Sequence, residues 1–159
     1  MTQREHHYQV SVTWTGNRGS GTESYKAYDR DFEILAGSKP VISGSSDPAF
    51  RGDAQRWNPE DLLIASVSAC HKLWYLHLCA EAGINVFTYS DRAEGTMREG
   101  KHGGFTRIVL NPTITIRPGD DIGLAIELHH RAHEYCFIAN SVNFEIACHP
   151  VITHDVKVK

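Results

Sequence analysis

The chain of 159 residues lacks the features of several large classes of protein. It has no run of basic residues, and its formal net charge is −3, so neither nucleic acid nor an anionic membrane is expected as its main partner. No segment approaches, on inspection, the roughly 20 apolar residues that cross a bilayer. The N-terminal residues 1–7 lack the apolar core of a secretory signal. These absences predict a cytoplasmic protein with no membrane or nucleic-acid partner.

The chain also lacks internal repeats, low-complexity tracts and a composition break that would mark a domain boundary. Its length fits one domain, and its apolar content of 41% is sufficient for a buried core. We therefore expect a single domain over residues 1–159.

The hydrophobic pattern predicts strands, a long helix, strands, a second helix and final strands. Before the long helix we expect a strand over 7–15, a turn over 16–21, one or two short strands within 23–35, and a loop over 36–57. After it we expect strands over 84–98 and 105–117 around a hairpin loop, a helix from about Ile122 to Ile138, and strands over 142–148 and 151–158.

The long helix has the clearest boundaries. Asn58 is a suitable N-cap and Pro59 suits the first helical position, while Gly83 is a typical C-terminal stop. The segment between them is apolar nearly all round, and such a helix is expected to be buried on all sides. A buried helix of about 24 residues is more than a chain this small covers alone, so the pattern suggests a dimer that shares its core.

Four cysteines are present, but no C-x-x-C pair, so a thioredoxin-type or zinc-ribbon motif is absent. At about 100° per residue, Cys70 and Cys79 point to opposite faces of the long helix. Cys136 falls on the predicted second helix, and two facing helices could bring it to Cys70. The alternative for any of these thiols, Cys79 and Cys148 above all, is a small buried hydrophobic side chain.

Ten histidines offer a different interpretation, a metal site. His129, His133 and Cys136 fall within about 40° of one another on a helix, a spacing that can bind zinc, and His71 and Cys70 could add ligands. A histidine-rich helix face is also typical of a polar surface, and the full H-E-x-x-H pattern is missing.

Two segments resemble a known family. Residues 58–63, Ala69-Cys70 and residues 80–83 resemble the N-P-E-x-L…A-C…A-E-A-G signature of the OsmC/Ohr superfamily, named after osmotically inducible protein C and organic hydroperoxide resistance protein. Residues 132–136 and 142–146 resemble its second cysteine segment and its final strand. His71 replaces a usual aromatic residue and Phe137 replaces a proline, so the chain resembles a distinct branch.

The resemblance implies an α+β, OsmC-like fold, in which two long central helices pack against antiparallel β-sheets in an intertwined homodimer. It implies a peroxidase without metal, haem or flavin cofactors, whose active sites lie at the subunit interface. Cys70 would attack organic hydroperoxides, or hydrogen peroxide, and become a sulfenic acid that Cys136 resolves as a disulfide. A dithiol, either a lipoylated protein or a small thiol, would reduce that disulfide in oxidative or osmotic stress.

The remaining site residues follow from the chemistry and from the resemblance together. A mid-helix thiol needs a cation to favour its thiolate, and arginine stays charged. Arg51 resembles the arginine of the OsmC branch and is preferred over Arg18, which resembles that of the Ohr branch. Glu60 has the spacing of the family carboxylate that holds the arginine.

Four apolar residues could bind a peroxide tail or simply belong to the core: Phe50, Trp57, Trp74 and Phe137. A thiol sensor without turnover, or a small-molecule binding protein on the same fold, is a further alternative, because a fold does not determine a function.

Overall fold

The computed structural model describes residues 3–156, which form two compact units along the chain, one ending at Leu62 and the other beginning at Leu63. The first contains an antiparallel sheet of three short strands, β1 (Ser11–Trp14), β2 (Phe32–Leu35) and β3 (Ile42–Gly44). β1 is shorter than predicted, and Tyr8 and Val10 precede it as exposed residues.

The predicted loop over 36–57 is wrong in part. It contains β3, which pairs with β2, and a 3₁₀ turn over Pro48–Phe50. A three-residue strand has too few residues to produce a visible alternation, because its stability comes from a partner strand that is distant in sequence.

The long helix, α1 (Pro59–Ala82), has the predicted boundaries. Asn58 Oδ1 accepts a hydrogen bond from the Asp61 N–H at 2.8 Å and so caps the first turn. At the other end, Gly83 has a φ of 79°, and the Ile84 N–H donates to the carbonyl of Cys79 at 2.9 Å. This is a Schellman motif, which satisfies carbonyls that the helix leaves free.

Burial of α1 differs from the prediction. Within the single chain only one face is fully buried, by Val67, His71, Tyr75, Leu78 and Cys79. Of its most apolar window of 18 residues, 28% is buried. An apolar helix that is this exposed in one chain has surface left for a partner.

α1 also corrects the expectation about membrane-spanning segments. By length and composition alone it could cross a membrane, although it contains polar residues such as Lys72 and His77. Core helices of globular proteins meet the same criterion, and α1 contributes its buried face to the core of the second unit.

The second unit contains two three-stranded sheets. The first has the order β4 (Val86–Asp91), β7 (Pro112–Ile116), β9 (Val151–His154), and the second has the order β5 (Glu94–Arg98), β6 (Gly104–Leu110), β8 (Glu145–Cys148). Each predicted long strand is therefore two strands in different sheets. β8 and β9 join their sheets in parallel, and the other pairs are antiparallel.

The second helix, α2 (Ile122–Tyr135), begins at Asp121, whose carboxylate accepts from the Leu124 N–H at 3.0 Å. It ends before Cys136, which has an extended backbone with ψ near 111°. The prediction of a helix to Ile138 is wrong at this end, and Cys136 is not a helical residue. An exposed apolar residue, Phe137, continued the hydrophobic pattern beyond the true end.

Two clusters form the core of this unit. The larger lies among α1, α2 and β7 and includes Tyr75, Leu78, Ile114 and Leu128. The smaller joins Val67 of α1 to Ile108 and Leu110 of β6. The mixed helix and sheet content confirms the predicted α+β class.

Candidate functional site

Cys70 and Cys136 lie side by side in the second unit. Cys70 is half-buried on α1, and Cys136, directly after α2, is buried. The pKa of the Cys136 thiol is raised to about 11, chiefly by burial and in part by interaction with the Cys70 side chain. The Ala139 N–H donates to Cys136 Sγ at 3.5 Å and acts in the opposite direction. The end of α2 thus directs one thiol towards the other.

Both thiols are free, and two neighbouring free thiols can be oxidised to a disulfide. The pair joins segments that are 66 positions apart in the sequence, so a disulfide would connect α1 to the residue that follows α2. The roles of attacking and resolving thiol remain predictions.

Aromatic residues that contact one another lie close to the two cysteines in the sequence. Trp74, one turn after Cys70, stacks on Tyr135 with ring centroids 5.1 Å apart. It also meets Phe137 edge-on at 5.5 Å. Phe137 is 68% exposed in the single chain. Two of the predicted tail-binding residues therefore lie together, while Phe50 and Trp57 belong to the first unit as exposed side chains.

The predicted arginines and carboxylate lie in the first unit. Arg18 donates to the Lys26 carbonyl and lies 3.6 Å from the Asp29 carboxylate. Arg51 is exposed, and its guanidinium carbon is 5.9 Å from the centroid of the Tyr25 ring. Glu60 is half-buried in the first turn of α1. Within the first unit, the contacts of these three residues give none of them a function.

Arg51 has an unusual backbone. With a φ of 65°, it is the one non-glycine residue of the described part of the chain in the left-handed region. It follows the 3₁₀ turn over Pro48–Phe50 and donates its N–H to the Pro48 carbonyl. Such conformations cost free energy for a side chain with a Cβ and are common at functional sites.

A second cluster, the His71–His129–Cys148 triad, lies in the same unit. His71 Nε2 is 2.9 Å from His129 Nδ1. Cys148 Sγ is 3.9 Å from the first nitrogen and 3.8 Å from the second. α1, α2 and β8 each supply one of these atoms, so the triad exists only where the three elements meet.

Burial controls the ionisation of the triad. Desolvation lowers the pKa of His71 to about 4 and that of His129 to about 3. It raises the pKa of the Cys148 thiol to about 12, and the nearby Asp91 carboxylate contributes in the same direction. At neutral pH the triad consists of two neutral imidazoles and one thiol.

Packing fixes the orientation of the two rings. The Tyr75 ring stacks on His129 with centroids 3.7 Å apart, and its hydroxyl donates to the Ala125 carbonyl at 2.9 Å. The His71 and His129 rings are nearly parallel, with an angle of 6° between their planes. His129 Nε2 is buried without a hydrogen-bond partner among the described residues.

The triad changes the metal interpretation of the sequence. The predicted set of His129, His133 and Cys136 depended on one continuous helix, and α2 ends before Cys136. Within residues 3–156, the group whose ligand atoms converge is the triad. The sequence alone favours a core position for Cys148, because no local pattern marks it as a ligand. Its place beside the histidines depends on the parallel pairing of β8 with β6. The sequence signal that could have indicated this cluster is a histidine, His71, within the apolar helix, where the structure buries it.

The family model described as OsmC-like protein matches residues 52–149, which include all four cysteines. The chain belongs to the OsmC-like protein family. A search of curated protein sequences finds no significant match.

Solved structures agree with this assignment. The OsmC-like chain superposes with a TM-score of 0.83 on an OsmC-like protein of unknown function from Vibrio cholerae, at 26% identity over 92% of this chain and 100% of the other. An organic hydroperoxide resistance protein, OsmC, from Legionella pneumophila gives 0.66 at 18% identity, over 97% and 100%. The organic hydroperoxide resistance protein OhrB from Bacillus subtilis gives 0.62 at 18% identity, over 92% and 98%. At these identities the last two establish the fold alone.

Proposed function

We propose that this OsmC-like protein is a thiol-dependent peroxidase that reduces organic hydroperoxides, and hydrogen peroxide as well, with Cys70 as the attacking thiol and Cys136 as the resolving thiol. The observation that carries the proposal is the interaction of the two free thiols, one half-buried and the other buried. The names of two similar structures, as organic hydroperoxide resistance proteins, support the same class of reaction.

The proposed cycle has three steps. The Cys70 thiolate attacks the distal oxygen of ROOH, the O–O bond breaks, and the alkoxide takes a proton and leaves as ROH. The Cys136 thiol then attacks the sulfur of the Cys70 sulfenic acid, forms the disulfide and releases water. An external dithiol, from a lipoylated protein or a small thiol, exchanges with the disulfide and is oxidised in turn.

The surroundings of the pair suit an organic substrate. Trp74 and Phe137 supply apolar surface next to the cysteines, which would accept an alkyl tail better than water. In this proposal Arg51, or alternatively Arg18, favours the Cys70 thiolate, and Glu60 holds that arginine. The enzyme would work as a homodimer in the reducing cytoplasm, as one domain over residues 1–159.

Peroxide consumption with a dithiol present tests the proposal. Wild-type protein should consume many equivalents of an alkyl hydroperoxide. Cys70→Ser should abolish turnover, because the attacking sulfur is gone, while Cys136→Ser should stop at the sulfenic acid or slow strongly. Cys79→Ser is the matched control, since Cys79 is a buried thiol of the same helix outside the pair.

Three outcomes would reject or redirect the proposal. Full activity of Cys70→Ser would refute it, and so would equal losses in Cys70→Ser and Cys79→Ser. A single oxidation of wild-type protein without turnover would favour a thiol sensor instead. In the same assay, loss of turnover in Arg51→Met or in Arg18→Met would decide which arginine acts on Cys70.

A further inference from the structure

The His71–His129–Cys148 triad takes no part in the proposed peroxidase cycle. Its three atoms come from three elements, and two of its three residues are nearly fully buried, with exposed fractions of 2% for His71 and 3% for His129. Histidine is seldom buried in pairs without a polar network around it, since an imidazole carries a donor or acceptor that needs a partner. The triad therefore needs a separate explanation.

Hydrogen bonding within the protein explains the triad only in part. Across the 2.9 Å contact one imidazole donates a hydrogen bond and the other accepts it, and the tautomers decide which ring is the donor. His129 Nε2 is buried without a partner among the described residues, but it is not one of the three converging atoms and so does not decide the question. Cys148 Sγ, at 3.8 and 3.9 Å from the two nitrogens, is at most a weak hydrogen-bond partner.

The three converging atoms also lie at spacings close to those of ligands around a tetrahedral metal ion. With zinc–nitrogen bonds near 2.05 Å and zinc–sulfur bonds near 2.3 Å, tetrahedral ligands lie about 3.4 Å apart for two nitrogens and about 3.6 Å apart for nitrogen and sulfur. The observed separations of 2.9, 3.8 and 3.9 Å differ from these by about half an ångström or less. The largest difference is in the contact between the two nitrogens, which would have to open from 2.9 Å to about 3.4 Å when an ion binds.

The chemistry of the donors fits as well. Two nitrogens and one sulfur form a ligand set of borderline softness, which suits zinc and not calcium or magnesium.

The surroundings leave room for a fourth ligand. The triad lines a cavity of about 700 Å³, together with His130, His133, Glu134 and His149. His133 lies one helical turn after His129 and therefore on the same side of α2. The cavity could supply a histidine, a carboxylate or water as the fourth ligand.

We propose that His71 Nε2, His129 Nδ1 and Cys148 Sγ bind one divalent transition-metal ion of the zinc class, with its fourth coordination position open to this cavity. The site is separate from the Cys70–Cys136 pair and does not depend on peroxidase activity. It requires α1, α2 and β8 to be assembled, so a bound ion would fasten these three elements to one another.

Cobalt(II) is the probe, because it replaces zinc and absorbs visible light. Wild-type protein, reduced and freed of metal with a chelator, should bind one Co²⁺ per chain, with tetrahedral visible bands and a thiolate-to-cobalt charge-transfer band. Cys148→Ser should lose the charge-transfer band. His129→Gln should bind at least about 100-fold more weakly, since loss of a residue that only supports a ligand already costs 10- to 100-fold.

Cys79→Ala and Cys70→Ser are the matched controls, because each removes a thiol outside the triad. Both should keep the charge-transfer band. A measurement on wild-type protein does not depend on how the variants fold: zinc should protect Cys148 from alkylation and leave Cys70 reactive. Failure of wild-type protein to bind Co²⁺ would overturn the proposal, as would a charge-transfer band that survives in Cys148→Ser or disappears in Cys70→Ser.

Discussion

The thiol of Cys136 combines burial with a neighbouring thiol, and both raise its pKa, to about 11. A resolving cysteine of this kind stays protonated while it waits for a sulfenic acid. Such a thiol is protected from alkylation and from direct oxidation, because the thiolate is the reactive form. The pair would then be asymmetric: the half-buried Cys70 meets the peroxide, and Cys136 reacts only with Cys70.

The pKa of Cys136 gives a pH-dependent prediction. In native protein its alkylation by iodoacetamide should still increase between about pH 9 and pH 10, because a raised pKa moves thiolate formation to higher pH. In Cys70→Ala the increase should begin at lower pH, since one cause of the raised pKa is removed. Site-resolved mass spectrometry measures both rates.

Denatured protein is the control, since there Cys136 should titrate near the ordinary cysteine pKa of about 8.5. Native and denatured proteins with the same alkylation profile would contradict a pKa of Cys136 that burial raises. An unchanged profile in Cys70→Ala would mean that the two thiols do not interact.

At the scale of single residues, the sequence predicted the pairing of Cys70 with Cys136 but not that of Cys148 with the histidines. The first rests on a motif in one helix and on two segments that were already candidates for contact. The second depends on a strand that pairs in parallel with β6, which no local pattern reveals. A thiol in a four-residue strand has the same sequence signal whether it faces a core or an imidazole.

At the scale of elements, α1 is the most strongly specified part of the chain. Its N-cap, first-turn proline and C-terminal glycine each act within a few residues, and all three agree on its boundaries. α2 is less well marked. Its N-cap at Asp121 is clear, but its C-terminal end carries no glycine and is decided by tertiary packing.

The Schellman motif gives a prediction for α1. Gly83→Ala should lower the free energy of unfolding by about 1 kcal/mol, because a Cβ disfavours the left-handed backbone at φ 79°. Space is not the cause, since nothing lies within 4 Å of an added Cβ. Chemical denaturation of the two proteins measures the difference.

Gly104→Ala is the matched control for this prediction. A Cβ there also meets open space, but the backbone lies outside the positive-φ region. This variant should be neutral or up to about 1 kcal/mol more stable. Equal effects of the two substitutions would show that backbone conformation is not the reason for Gly83.

At the scale of the whole molecule, the main feature that a single chain does not explain is its exposed apolar surface. In the second unit, Leu73 of α1 is 63% exposed and Phe137 is 68% exposed, beside the partly exposed Trp74. Apolar patches of this kind mark interaction surfaces. A homodimer that covers α1 would also place the Cys70–Cys136 pair near a subunit interface.

Sedimentation tests this assembly. Wild-type protein should sediment at twice the chain mass of 17.8 kDa. Leu73→Asp should shift the equilibrium towards monomer, because a charge would be buried without a partner. Val156→Asp, at a residue 81% exposed and outside the two helices, should leave the dimer intact. A wild-type monomer at micromolar concentration would contradict the shared core.

The sequence by itself determined the family, the fold class and the boundaries of α1, because each depends on a local pattern or on a motif of adjacent residues. It also supplied the candidate thiol pair. The tertiary structure decided where α2 ends, how the predicted long strands divide between two sheets, and which residues meet at the triad. These features depend on contacts between segments that are far apart in the chain. His71, His129 and Cys148 are separated by 58 and 19 positions, and only packing of α1, α2 and β8 brings them within 4 Å.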